Sequence, residues 1–168
     1  NPAAGEVLTC DDPLFSVEAD SAVTAGRVCD NATRARTHVN QCKLALRSPV
    51  TIIVVSELKG IADHCAGVYS RGSDQISILS PTAVAATMPE NSAFASLPPE
   101  TYYQSLVTHE MAHAAMDQML GGAARCSADM EYVAYALQIE SLPPDARDDV
   151  VSLRDQTAPV TRESLNSF

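Results

Sequence analysis

The chain has 168 residues, of which 21 are acidic and 11 basic, so its formal net charge at pH 7 is −10. This balance argues against nucleic acid as a partner, because phosphate recognition needs clustered Lys and Arg side chains. The hydrophobic and charged fractions, 46% and 19%, are typical of a globular domain, and no apolar run approaches the roughly 20 residues that cross a bilayer. We therefore expect one domain over 1–168, with no membrane insertion.

The predicted elements begin with an extended lead-in over 1–19, where prolines and paired aspartates interrupt any regular pattern. Apolar residues then recur every three or four positions and predict an amphipathic helix from Asp20 or Ser21 to about Leu46. The β-branched run VTIIVV at 50–55 predicts a strand in the middle of a sheet.

A β-hairpin is predicted next, because strand-like runs at 66–70 and 75–80 flank a four-residue loop that contains Gly72. Ser80 and Pro81 suit the N-cap and first residue of a short helix. Residues 88–99 are rich in proline and are interpreted as a loop.

The last third of the chain predicts three helices. They run from Pro99 or Glu100 to Leu120, from Ala128 to Ser141 and from about Asp145 to Asp155, and a polar tail follows at 157–168. A Gly-Gly pair ends the first of them. With strands early and helices late, the order of elements predicts an α+β fold.

The sequence HEMAH at 109–113 predicts a metal site. His109 and His113 are four residues apart on the predicted helix, so they lie one turn apart on the same face, and both imidazoles can reach one Zn²⁺. Glu110 projects roughly 100° around the helix axis, beside the metal, where its carboxylate can accept a proton from water. The surrounding residues are apolar, and buried imidazoles need a partner, so we expect one zinc ion.

A tetrahedral zinc site needs a third protein ligand and keeps one position open for water. Glu131, on the next predicted helix, is the first candidate, because the glycine turn between the helices can bring it opposite the histidines. Asp129 is the alternative ligand, and it could instead cap that helix. Asp117, one turn beyond His113, is either a solvated charge or an acceptor for the N–H of a ligand imidazole.

HEMAH followed by EYVA at 131–134 resembles the gluzincin class of zinc metallopeptidases, whose third ligand is a glutamate on a downstream helix. The resemblance covers roughly residues 104–138, and element order matches more loosely from position 50. It implies a zincin-like fold, in which a small sheet with a hairpin edge packs on the HExxH helix and a glutamate helix follows.

This resemblance also implies that His109, His113 and Glu131 bind zinc and that Glu110 is the general base. The chain departs from the class in two ways. The interval between His113 and Glu131 is shorter than in larger gluzincins, which keeps Asp129 open as the ligand, as in the aspzincin class. No second subdomain is recognisable that would supply a Tyr or His to stabilise the oxyanion.

We therefore expect zinc-dependent hydrolysis of a peptide or protein substrate. Tyr69, Tyr132 and Tyr135 are candidates for stabilising the transition state, although core packing is the commoner role for each. The substrate would lie extended along the edge of the hairpin, which we expect to be the Gln75–Ser80 strand.

Two other functions remain open from the sequence. The chain could be a non-catalytic secreted binding or structural module with a degenerate or structural zinc site. A structural site would be closed by a fourth ligand, with Asp129 and Glu131 both coordinating. Zinc-dependent hydrolysis of a bond other than a peptide bond is also compatible with the sequence.

His38 and His64 are not at the spacing of metal ligands, so we interpret them as ordinary surface or core histidines. The N-glycosylation sequence that starts at Asn31 falls inside a predicted helix, so it carries little weight. The sequence does not determine the oligomeric state.

Five cysteines are too far apart in the sequence for the paired motifs of zinc ribbons or redox sites. Dispersed cysteines in a small acidic chain favour disulfides in an oxidising compartment. Taken in order they predict Cys10–Cys29 and Cys42–Cys65, with Cys126 left over or as an alternative partner. Because the chain starts with Asn-Pro rather than Met, we expect a secreted or periplasmic protein whose export signal has been removed.

Overall fold

The computed structural model describes residues 6–59, 65–89, 92–121 and 127–152, and these hold five strands and five helices. The strands are β1 (Glu6–Thr9), β2 (Phe15–Ala19), β3 (Val50–Val55), β4 (Gly67–Ser70) and β5 (Gln75–Leu79). The helices are α1 (Ala22–Gln41), α2 (Pro81–Thr87), α3 (Pro99–Leu120), α4 (Ser127–Glu140) and α5 (Pro144–Ser152). The combination of helices and strands confirms the α+β class predicted from the order of elements.

The strands form one sheet in the order β1-β2-β3-β5-β4. β3 occupies the middle, as its β-branched sequence predicts, and runs parallel to β2 and β5. The two outer strands, β1 and β4, are antiparallel to their neighbours.

The predicted hairpin is present as β4 and β5, but the expectation that Gln75–Ser80 forms the sheet edge is wrong. β5 pairs with β3 as well as with β4, so β4 is the edge strand. The burial of the two strands shows why. Ile76, Ile78 and Leu79 of β5 are all buried, whereas every residue of β4 is only half-buried.

The predicted lead-in contributes two strands to the sheet, β1 and β2. Side chains in β2 alternate strictly, with Phe15, Val17 and Ala19 buried and the residues between them partly exposed, which is the period of a strand with one face on the core. Turn-forming residues precede this short alternation and dominate the local sequence, so the sequence predicts only an extended segment there.

Helix α1 begins at the predicted cap, since the Ser21 side chain accepts a hydrogen bond from the backbone N–H of Thr24. It ends at Gln41 rather than near Leu46, so the predicted end is wrong. Lys43 takes a positive φ of 65°, and the N–H of Leu44 turns back to the carbonyl of Val39, which closes the helix.

The core lies between the sheet and the two long helices. α1 contacts β1 and β2, α3 contacts β4 and β5, and α1 and α3 contact each other, so both helices cover the same face of the sheet. α4 packs against the far side of α3, and α5 packs against α4. This layering places α3 in the interior, between the sheet and α4.

The structure confirms one predicted disulfide and contradicts the other. Cys10 is bonded to Cys29, which ties the turn between β1 and β2 to α1. Cys42 and Cys65 are free thiols, and the predicted bond between them is absent, because Cys42 sits exposed at the end of α1 and approaches Glu140 instead. Cys126 lies outside the described residues.

No helix in the described ranges is both long and apolar enough to cross a membrane.

Candidate metal centre

Helix α3 carries HEMAH through the interior of the domain. It ends at Gly121, whose left-handed conformation (φ 60°) glycine adopts without steric cost, and this turn allows the chain to return as α4. His109 is only 7% exposed and Glu110 only 4%. Buried polar groups of this kind need partners.

Three side chains converge on one point between α3 and α4. His109 Nε2 lies 3.2 Å from His113 Nε2. Glu131 Oε2 lies 3.4 Å from His109 Nε2, and Glu131 Oε1 lies 3.3 Å from His113 Nε2. Among the described residues these three form a group that could hold a metal ion.

The spacing of these groups suits a tetrahedral metal site. Two ligands that are each 2.0–2.1 Å from a tetrahedral zinc ion lie about 3.3–3.4 Å apart. The 3.2 Å between the two imidazole nitrogens is close to this value. Each imidazole nitrogen also lies 3.3–3.4 Å from a different oxygen of Glu131, so both oxygens of the carboxylate face the histidines. Two imidazoles with one carboxylate is also a donor set found in catalytic zinc sites.

The charges of the cluster favour an ionised carboxylate facing the imidazoles. Burial acts to raise the pKa of Glu131, but the hydrogen bonds and charges of His109 and His113 outweigh it and hold that pKa well below 4.5. Burial acts to lower the pKa of His113, but its hydrogen bond to Glu131 and the charges of Glu110 and Glu131 raise it overall. The cluster therefore favours a positive charge at its centre, either a proton or a metal ion.

Gln138, which the sequence analysis did not single out, orients one of the two imidazoles. Its Oε1 lies 3.1 Å from His109 Nδ1, and its Nε2 donates to Ser105 Oγ. With Nδ1 donating to Gln138, His109 presents the lone pair of Nε2 to the metal position. Gln138 follows Glu131 by seven residues, two turns along the same face of α4, and this spacing is the signal that could have identified it.

Glu110 lies under the edge strand β4. The backbone N–H of Tyr69 donates to its carboxylate, and Gly67 passes so close that a Cβ there would be 2.7 Å from Glu110 Oε1. Burial raises the pKa of Glu110 above 4.5, against the opposing charges of His109 and His113. Glu110 is thus held beside the cluster in a site that favours accepting a proton.

Of the other predicted site residues on α4, Asp129 and Tyr132 do not join the cluster, whereas Tyr135 contacts one of its histidines. Asp129 is exposed in the first turn of α4, and Tyr132 is 63% exposed. Tyr135 packs its ring edge-on against His109, with the ring centroids 4.5 Å apart. Burial and then the charge of Glu131 raise the pKa of Tyr135, so its hydroxyl is protonated at neutral pH.

Tyr69 and Asp117 belong to a neighbouring polar network. The hydroxyl of Tyr69 lies 3.0 Å from Asp74 Oδ1 and 3.2 Å from Asp117 Oδ2. Asp117 also faces Arg71, with 3.7 Å between Oδ1 and Nε. The network ties the β4–β5 turn to α3, one turn beyond His113.

Two further predictions concern residues outside the cluster. His38 lies in α1, away from the cluster, and its Nε2 is buried without a hydrogen-bond partner in the described structure. His64 lies outside the described residues. Asn31 is only 2% exposed, and its amide donates to Glu100, so the formal glycosylation sequence is inaccessible in the folded domain.

The fold and the site together define a mixed α+β domain with a His-His-Glu cluster on two packed helices. The chain belongs to a family of unknown function, DUF6639, whose model matches residues 15–168. No curated protein and no solved structure matches it.

Proposed function

We propose that this protein is a zinc-dependent metallopeptidase with a gluzincin-type HExxH…E site in a zincin-like arrangement. The observation that carries the proposal is the convergence of His109, His113 and Glu131, with 3.2 Å between the imidazole nitrogens and 3.3–3.4 Å from each nitrogen to an oxygen of the carboxylate. Glu110 lies on the same helix beside it. One zinc ion is the expected cofactor, because the donor set and the spacing both suit zinc.

A zinc ion at this position would supply a water of lowered pKa and a Lewis acid for the substrate carbonyl. The chain's own residues provide the rest. Glu110 accepts the proton from the attacking water and delivers it to the leaving amine. Its raised pKa and its hydrogen bond from Tyr69 suit both steps, because the carboxyl must hold and then release a proton.

A peptide substrate would bind along β4. This strand is an edge of the sheet, and it passes directly over Glu110 at Gly67. Its outer backbone groups, apart from the Tyr69 N–H that donates to Glu110, can pair with an extended peptide as an added strand, which would place a peptide bond near the cluster. Tyr135, beside His109, is the tyrosine best placed to stabilise the oxyanion.

An oxidising compartment suits the chain, since the Cys10–Cys29 bond is present in the fold. We infer a secreted or periplasmic protein on this ground.

The test measures zinc content and hydrolysis of a mixed peptide library for three proteins. We expect wild type to bind one zinc ion and cleave peptides. Glu110→Gln should keep zinc and lose hydrolysis by a factor of about 10² or more, because it removes the base but no ligand. Glu131→Ala should lose most of its zinc. Absence of zinc from all three proteins would overturn the proposal.

A structural zinc module is the second candidate. The observation that favours it is the burial of Glu110, which is only 4% exposed under β4. This alternative would be supported if wild type and Glu110→Gln both retain zinc, neither hydrolyses peptides, and each melts at a higher temperature with zinc than without it.

A further inference from the structure

A cleft of about 480 Å³ opens at the C-terminal end of α3, beyond the metal cluster. Its walls are the last turn of α3, the β4–β5 turn and the segment that leads into β3. Arg47 and Arg71 line it on two sides, together with Asp74, Asp117 and Gln118. Asp117 follows His113 by one helical turn, so the cleft adjoins the proposed site.

Hydrogen bonds within the protein occupy the carboxylate of Asp74. Its Oδ1 accepts from Gln118 Nε2 at 2.9 Å and from the Tyr69 hydroxyl at 3.0 Å, and its Oδ2 accepts from Ser48 Oγ at 3.1 Å. These donors are neutral and belong to the walls. Asp74 therefore keeps its negative charge, but its hydrogen bonds go to the walls of the cleft, and it forms no ion pair with an arginine within the described ranges.

The guanidinium groups of the two arginines make fewer contacts than the carboxylate of Asp74. Arg71 meets Asp117 through Nε at 3.7 Å, and its side chain is 49% exposed. Arg47 is exposed and has no ion pair within the described ranges. A guanidinium group offers a planar set of donors that matches the two oxygens of a carboxylate.

We propose that this arginine cleft, formed by Arg47 and Arg71, is a subsite for a carboxylate of the substrate. The carboxylate belongs either to an acidic side chain or to the free C-terminus of a peptide held at the metal cluster. The inference rests on the proposed function and names the class of substrate for the same site. Arg47 and Arg71 line this one cleft together with Asp74 and Asp117, and the guanidinium donors that these carboxylates do not engage distinguish the region in a chain of net charge −10.

Internally quenched peptides test this preference. One set of pairs differs only by Glu or Gln at a single position, and another differs only by a free or amidated C-terminus. We expect zinc-loaded wild type to favour one carboxylate form by about tenfold in kcat/KM, which is the effect of one charge-assisted contact. The set that shows the preference identifies the source of the carboxylate.

Variants assign that preference to the cleft. Arg71→Ala and Arg71→Gln should each reduce it to below about threefold, and Arg47→Ala should reduce it in part. Arg34→Ala is the matched control, because Arg34 is an exposed arginine on α1 that lines a different cleft. The control should keep the full preference.

Binding of the same peptide pairs to zinc-loaded Glu110→Gln, followed by fluorescence anisotropy, separates this inference from the proposed function. Tighter binding of the carboxylate form, lost in the double variant with Arg71→Ala, supports the cleft even if wild type cleaves nothing. Cleavage or binding without any carboxylate preference overturns the cleft while leaving the peptidase proposal intact. Failure of wild type to cleave and of Glu110→Gln to bind any peptide overturns both.

Discussion

At the scale of single residues, the candidate site depends on how closely the β4 backbone approaches Glu110. Gly67 leaves no side chain between the strand and the carboxylate, and the N–H of Tyr69 then reaches that carboxylate. A methyl group at position 67 would meet Oε1 at 2.7 Å, Cγ at 2.8 Å and Cδ at 3.0 Å of Glu110. Either the strand or the carboxylate must then move.

Gly67→Ala should therefore lower hydrolysis while leaving zinc content unchanged. The three atoms nearest to the added Cβ all belong to Glu110. We therefore expect the base to move, and the zinc ligands His109, His113 and Glu131 to stay in place. We expect a loss of about tenfold to a hundredfold in kcat/KM, because a displacement near 1 Å of a reacting group has effects of this order. Zinc analysis and steady-state kinetics on the same preparation measure both quantities.

Gly26→Ala provides the control for that substitution. Gly26 lies within α1, and nothing approaches within 4 Å of a Cβ built there. Alanine in a helix interior should stabilise the protein by roughly 0.5–1 kcal/mol and leave kinetics unchanged. Equal activity of the Gly67→Ala variant and wild type would show that β4 does not position Glu110.

The residues of the cluster differ in how far the sequence could predict them. His109, Glu110 and His113 follow from spacing within one helix, which is local information. Predicting Glu131 as a ligand required only that the next helix return antiparallel to α3. Gln138 depends on where α4 packs against α3, and the approach of Gly67 depends on a strand from a distant part of the chain. Such contacts are set by tertiary packing.

At the scale of elements, the β4–β5 hairpin is attached to α3 by the carboxylate of Asp74. Gln118 donates from α3, Tyr69 donates from β4, and Ser48 donates from the segment before β3. The hydrogen bond from Gln118 first, and then those from Tyr69 and Ser48, lower the pKa of Asp74 below 3.8 against the effect of burial. One carboxylate thus joins three parts of the chain.

Asp74→Asn should destabilise the fold at neutral pH and do so less in acid. A carboxyl whose pKa is lowered by folding contributes stability above its ordinary value of 3.8, and this contribution is lost as the pH falls through the lower folded value. We expect a loss of about 1–2 kcal/mol at pH 7, as for hydrogen bonds to a charged group, and a smaller loss near pH 2. Urea unfolding at both pH values measures the difference.

Asp148→Asn is the comparison, because Asp148 is exposed on α5. It should change stability by no more than about 0.5 kcal/mol at either pH. An Asp74→Asn loss that is the same at pH 7 and near pH 2 would contradict a role for the charge.

The helices and strands differ in how accurately the sequence predicts them, according to the strength of their local sequence signals. β3, α2 and α3 were predicted closely, because a β-branched run, a Ser-Pro start and a Gly stop each act within a few residues. The end of α1 was predicted too far along, since a left-handed Lys43 has no strong sequence signal. The place of β5 inside the sheet depends on its pairing with β3, which hairpin patterning does not specify.

At the scale of the whole molecule, a disulfide cross-links the segment between the first two strands to helix α1. β1 is exposed along its length, and β2 joins the sheet through β3. The Cys10–Cys29 bond ties the turn between β1 and β2 to the middle of α1, which in turn packs on α3. The bond therefore connects the edge of the sheet furthest from the metal cluster to the core.

Replacing both Cys10 and Cys29 by serine should lower the free energy of unfolding by roughly 3 kcal/mol. The bond closes a loop of 19 residues in sequence, and in the chain-entropy model a loop near that size restricts the unfolded chain by about this amount. Urea unfolding of wild type and variant, with a chelator present so that metal linkage does not contribute, gives the difference.

Cys42→Ser is the matched control, since Cys42 is an exposed free thiol and its replacement should cost no more than about 0.5 kcal/mol. Adding a reductant should destabilise wild type and the Cys42→Ser variant equally, because both lose the same bond, and should leave the double serine variant unchanged. If the double variant instead unfolds at the same urea concentration as oxidised wild type, the link does not stabilise the fold, and the junction of β1 and β2 with α1 is maintained by its buried apolar contacts alone.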